Sequence, residues 1–220
     1  MTRKLDYNTK GPQSGTVKSI VVFLHGYGAD GADLLGLADP LAPHLPDTLF
    51  IAPDAPEPCR GNPFGRQWFP IPWLDGSPES AAAEGLAQSA ADLQAFLDER
   101  LAEAGLPDAA LALVGFSQGT MMSLEVAPRR DAQIACVVGF SGRLIAPERL
   151  AAEKRATPPI LLLHGDADEV VPFASLEAAG NALSGAGFEV FAHVMRGTGH
   201  GIAPDGLSSA LYFLRQNLPA

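Results

Sequence analysis

The feature that most restricts the fold of this chain is the alternation of short apolar runs with helical patterns. Runs suited to buried strands recur at residues 20–24, 49–52, 111–116, 134–140, 160–164 and 188–195. Most are separated by stretches with apolar residues three and four apart. The clearest follows Ser77-Pro78-Glu79, where Leu86, Ala90, Leu93, Leu97 and Leu101 predict a long helix. Its expected signals are Ser77 as cap, Pro78 at the first helical position and Gly105 at the end. Strand followed by helix, repeated, implies an α/β fold: a mainly parallel central sheet covered by helices on both faces. At 220 residues, with no linker-like composition, residues 1–220 are expected to form a single domain.

Residues 53–76 break the alternation, holding six prolines, three glycines and the aromatics Phe64, Trp68, Phe69 and Trp73. Loops over a rigid scaffold commonly carry binding, so these four aromatics are expected to wall a substrate pocket. The formal charge of −10 argues against nucleic acid as a partner, because phosphate binding relies on Lys and Arg. Small uncharged or cationic substrates fit that charge better. The opening MTRKLDYNTK has no apolar core, no apolar run approaches the roughly 18 residues needed to span a bilayer, and no basic amphipathic helix is evident. A cytoplasmic protein without stable membrane insertion is expected. Cys59 and Cys136 form no metal-type pair and are read as free thiols.

The chemistry is concentrated in LVGFSQGTMM, residues 113–122. Residues 111–116 read as a buried strand and 118–126 as a short helix stopped by Pro128, so Ser117 lies at a strand-to-helix turn. Such a turn is sharp, and bulk at Gly115 or Gly119 would collide with adjoining backbone. It leaves the serine hydroxyl exposed above the sheet, at a helix N-terminus.

A serine hydroxyl needs a base to take its proton, and the base needs an acid to orient it, in the chain order serine, acid, histidine. His164 precedes the candidate acids and breaks that order. His193, inside the apolar run 191–195, reads as a core histidine. His200, among the glycines of RGTGHGI, is the expected base. The segment HGDADEVVP offers Asp166, Asp168 and Glu169, which spacing does not separate. Developing negative charge on a carbonyl oxygen needs preorganised donors. The backbone N–H groups of Gln118 and of Tyr27, in the Gly-rich loop FLHGYGADG, are the candidates, with His25 bracing that turn.

With these residues assembled, the chain resembles the phospholipase/carboxylesterase family of α/β-hydrolases. The likeness runs through FLHGYGADG (23–31), APDAP (52–56), GFSQG (115–119), HGDADEVVP (164–172) and GTGHGI (197–202). It implies an α/β-hydrolase fold with Ser117 as nucleophile, Asp168 as acid and His200 as base. It also implies an oxyanion hole from the amides of Tyr27 and Gln118. Tyr27 stands where the family commonly has leucine, which would bring a phenol near the acyl site, and Trp68-Phe69-Pro70 stands where Trp-Phe-Asp is frequent. The implied activity is hydrolysis of short- to medium-chain carboxylic esters with no metal or cofactor. Lysophospholipids or acyl thioesters are the alternative substrates, and a non-catalytic receptor the remote one. A homodimer joined through exposed apolar loop residues is a further expectation.

Overall fold

The architecture is taken from a computed structural model, which describes residues 1–219. A seven-stranded sheet is formed by β1 (Tyr7–Lys10), β2 (Ser19–Leu24), β3 (Thr48–Pro53), β6 (Leu111–Phe116), β7 (Cys136–Phe140), β8 (Ile160–Gly165) and β9 (Val190–Met195). Its order is β1-β3-β2-β6-β7-β8-β9. Only β1 runs antiparallel, against β3; every other pairing in this sheet is parallel. The remaining strands, β4 (Glu57–Pro58) and β5 (Arg66–Gln67), form a small hairpin inside the Pro-rich loop.

Alternating residues of the central strands feed two separate cores. On one face Ile20, Val22 and Leu24 of β2 and Leu111 and Leu113 of β6 pack with residues of four helices. These are α4 (Glu79–Ala104), α5 (Gln118–Val126), α6 (Pro147–Glu153) and α7 (Ala174–Gly185). On the other face Val21, Phe23, Ala112 and Val114 meet α1 (Gly31–Leu35), α2 (Ala38–Leu41) and α8 (Pro204–Asn217). The remaining α-helix among the described residues is the single turn α3 (Pro72–Asp75). A strand buried on both faces has no polar side, which is why these runs read as continuous apolar stretches.

Two expectations are corrected, and one strand was not anticipated. The long helix begins at Glu79 with Pro78 outside it, and no side chain caps it. Ser77 instead donates its backbone N–H to Asp75 Oδ1 at 2.9 Å. The run at 188–195 contains the outermost strand, β9, whose Phe191 and Ala192 are exposed. His193 is therefore no core histidine: its Nε2 lies 2.8 Å from Asp205 Oδ2 at the surface. Finally, β1 carries the polar sequence YNTK and is mostly exposed, so it has no apolar signature to read.

Candidate active site

The candidate catalytic and oxyanion residues lie at the carboxyl ends of β2, β6 and β8 or in the loop after β9, where a parallel sheet presents its ligands. Ser117, between β6 and α5, has φ 54° and ψ −115°, a backbone conformation rare for a side-chain-bearing residue. Its neighbours must be glycine. A Cβ on Gly119 would come within 1.8 Å of Leu24 O, and one on Gly115 within 2.5 Å of Gly119 C. The turn is held by Ser117 N–H donating to Phe140 O at 2.9 Å and by Thr120 Oγ1 donating to the same carbonyl at 2.8 Å.

Two loops converge beside this turn. Ala167 N–H donates to Thr198 O at 3.0 Å, and Gly197 N–H to Asp166 Oδ1 at 2.6 Å. A Cβ on Gly165 would strike Thr198 O at 2.2 Å, so the loops lie directly on each other. His200 Nδ1 sits 2.8 Å from Asp168 Oδ2, and its ring centroid lies 4.9 Å from that of Phe116, the residue before Ser117. Asp168 Oδ1 accepts the N–H groups of Val170 and Val171, each at 2.9 Å. Burial pushes the Asp168 carboxyl up, but the hydrogen bonds from His200 and from those two amides outweigh it and hold the group below its ordinary value. An ionised Asp168 accepts a hydrogen bond from Nδ1–H and so leaves the Nε2 lone pair of His200 available. The two other acids of this segment stand apart from His200: Asp166 is spent on the Gly197 amide, and Glu169 is exposed. Buried His164 bonds Val171 O through Nε2 at 3.0 Å, with Asp168 Oδ2 3.3 Å away.

The amide N–H of Gln118 is the first of α5 and has no carbonyl four residues back to bind. The Tyr27 N–H likewise meets no acceptor among the described residues. Its loop is braced by His25, fully buried, which receives the Ala55 N–H on Nε2 at 2.9 Å and pairs Nδ1 with Gly26 O at 2.8 Å. The Tyr27 phenol turns into the Pro-rich loop against Gly61 and Cys59, and this corrects the expectation of a phenol at the acyl site. Burial, with the Cys59 thiol beside it, pushes its pKa up to about 12. Both cysteines are free and buried.

The four loop aromatics divide. Trp68 is wholly buried: its indole N–H donates to His25 O at 3.0 Å, and its backbone N–H to Gln118 Oε1 at 2.9 Å. It braces the loop and offers a substrate no surface. Phe64 is 93% exposed and walls nothing. Phe69 and Trp73 do line a cavity of about 420 Å³, together with Leu86, Arg143, Ile145 and Arg149. A larger cavity of about 670 Å³ lies between β9 and α8 at the sheet edge, three strands from Ser117. The side-chain amide of Gln118 went unforeseen. It grips two successive residues of the loop, Oε1 accepting from Trp68 N–H and Nε2 donating to Phe69 O at 2.8 Å. Among the described residues no cluster could hold a metal, and no helix is long and apolar enough to cross a membrane.

A mostly parallel sheet with helices on both faces and a strained serine turn after its central strand defines an esterase-type α/β-hydrolase, an enzyme acting on ester bonds. The family model for phospholipases and carboxylesterases matches residues 11–218, and the chain belongs to that family. The crystal structure of esterase PE8 superposes with a TM-score of 0.93 at 44% identity, covering 98% of this chain and 100% of that one. Esterase YpfH of Escherichia coli is 29% identical over 202 residues, 92% of this chain and 84% of that protein. Acyl-protein thioesterase 1 of Yarrowia lipolytica is 30% identical over 170 residues, 74% of each.

Proposed function

We propose that this protein is a serine carboxylesterase that hydrolyses short- to medium-chain carboxylic esters through an acyl-enzyme. Ser117 attacks the ester carbonyl while His200, oriented by Asp168, takes the hydroxyl proton. The oxyanion rests on the N–H groups of Tyr27 and Gln118. His200 returns the proton to the departing alcohol, then activates the water that frees the acid. The observation that carries this reading is a histidine whose Nδ1 is 2.8 Å from a hydrogen-bonded carboxylate and whose ring lies 4.9 Å from that of Phe116, the residue before a strained, glycine-flanked serine. The two amides proposed for the oxyanion have no competing acceptor among the described residues.

The cavity lined by Phe69, whose carbonyl is bonded to Gln118, supports an acyl substituent of modest length, since pockets of about 300–1,000 Å³ suit small ligands. A second reading, hydrolysis of acyl thioesters, draws on the relatives named as acyl-protein thioesterases. The same acyl-enzyme would serve both. Comparing kcat/KM for p-nitrophenyl butyrate with that for a palmitoyl thioester separates them. Faster turnover of the butyrate is expected, and faster turnover of the thioester would replace the first reading with the second.

A further inference from the structure

Arg143 stands out in a chain of formal charge −10. Among the described residues it has no acidic partner; its guanidinium lies 4.4 Å from the Trp73 ring centroid, in cation–π contact. Nearby Arg149 is occupied by Glu125 at 3.3 Å and Glu153 at 3.4 Å. Glu125 is further neutralised by Arg129 at 3.1 Å. Glu79, the other acid on the cavity wall, lies in the first turn of α4, where the helix N-terminus offsets its charge. Of the four charged side chains on the cavity wall, Arg143 alone thus has no acidic partner or helix terminus to offset it among the described residues.

Two walls of that cavity are fastened to the residues around Ser117. Phe69 O accepts from the side chain of Gln118, the next residue, at 2.8 Å. Gly142, which precedes Arg143, lies so close to the serine turn that a Cβ there would meet Thr120 Cβ at 2.4 Å and Ser117 O at 3.1 Å. Ser141, before it, holds φ 47°, so the backbone is turned sharply where β7 gives way to this segment. The cavity these two walls enclose also holds Leu86 and the Arg143–Trp73 pair.

We infer that Arg143 is a specificity-determining residue that binds an anionic group at the far end of the acyl chain, so that monoesters of dicarboxylic acids are favoured substrates. The inference rests on the esterase reading above. A guanidinium lying over an aromatic ring in cation–π contact makes no hydrogen bond to it, so its N–H donors are left for a carboxylate, which a guanidinium can bind through two parallel hydrogen bonds. The negative charge of the whole molecule disfavours anions in general; Arg143, with no acidic partner among the described residues, reverses the preference at this cavity.

The test uses matched pairs: mono-p-nitrophenyl adipate beside p-nitrophenyl hexanoate, and mono-p-nitrophenyl suberate beside the octanoate. Arg143→Gln is expected to lower the anionic-to-neutral ratio of kcat/KM about tenfold in at least one pair. The loss should fall in KM, because the contact is remote from the reacting carbonyl. Arg143→Lys is expected to recover part of the ratio, and added salt to erode it in the wild type. If the wild type turns over the neutral esters and Arg143→Gln leaves both ratios unchanged, the inference is overturned while the esterase reading stands. If the wild type turns over no member of either pair, the esterase reading itself has failed and takes this inference with it.

Discussion

Ser117 and Tyr27 mark two ways in which single residues serve this site. The serine occupies a conformation costing about 1–3 kcal/mol, and the surrounding glycines and the bond to Phe140 O hold it there. The role proposed for Tyr27 belongs to its backbone, while its side chain is a structural liability. Its hydroxyl is buried and meets no hydrogen-bond acceptor or donor at proper geometry. Tyr27→Phe is therefore expected to raise stability by about 1 kcal/mol, since it removes a desolvated group whose contacts with Cys59 and Gly61 fall short of a well-formed hydrogen bond. Esterase activity should survive. Thermal unfolding beside a kinetic assay checks both halves, and a destabilised Phe variant would mean that the hydroxyl has a partner in solution.

At the scale of elements, the β6–α5 turn depends on backbone contact that tolerates no side chain. Gly119→Ala forces a methyl against Leu24 O and the His25 carbonyl, main-chain atoms of β2 and the loop that follows it. A loss of about 3 kcal/mol or more is expected from such overpacking, measured as a shift in denaturant midpoint; a variant of unchanged midpoint would contradict the close packing of β2 on α5.

This turn was legible in the sequence because its requirement is steric and local: two glycines, a serine, an apolar run before and a helical one after. The loop aromatics were less legible, since residue type alone does not say which way a ring points. Trp68 is turned inward by bonds to His25 O and Gln118 Oε1, two long-range partners that no spacing announces. For the same reason β9 reads as a buried strand although it forms the sheet edge: an apolar run reports length and hydrophobicity, and position within the sheet depends on pairing. Arg143 was invisible because an arginine gains meaning only when its partners, or their absence, are known.

Across the whole molecule, several carboxylates are held below their ordinary values by folding. For Asp168, burial opposes the shift, and the bonds from His200, Val171 and Val170 prevail; for Asp205 the leading cause is His193, and for Glu153 it is Arg129. A group whose folded pKa is depressed contributes stability that is fully present above its unfolded value. That contribution is lost as pH falls through the folded value. Stability should therefore decline as pH drops below about 4, near the ordinary pKa of free Asp and Glu. Asp168→Asn should flatten part of that decline; equal acid-side slopes in mutant and wild type would deny the depressed carboxyl.

The central claim is that Ser117 and His200 act as one unit on an ester carbonyl. The most direct measurement is p-nitrophenyl butyrate hydrolysis by the wild type, Ser117→Ala, His200→Ala and the double variant, each verified as folded. The account predicts that either single change removes nearly all activity, about a thousandfold or more, and that the double variant is scarcely worse than either. Losses that multiply in the double variant, or a folded Ser117→Ala that keeps its activity, would contradict it.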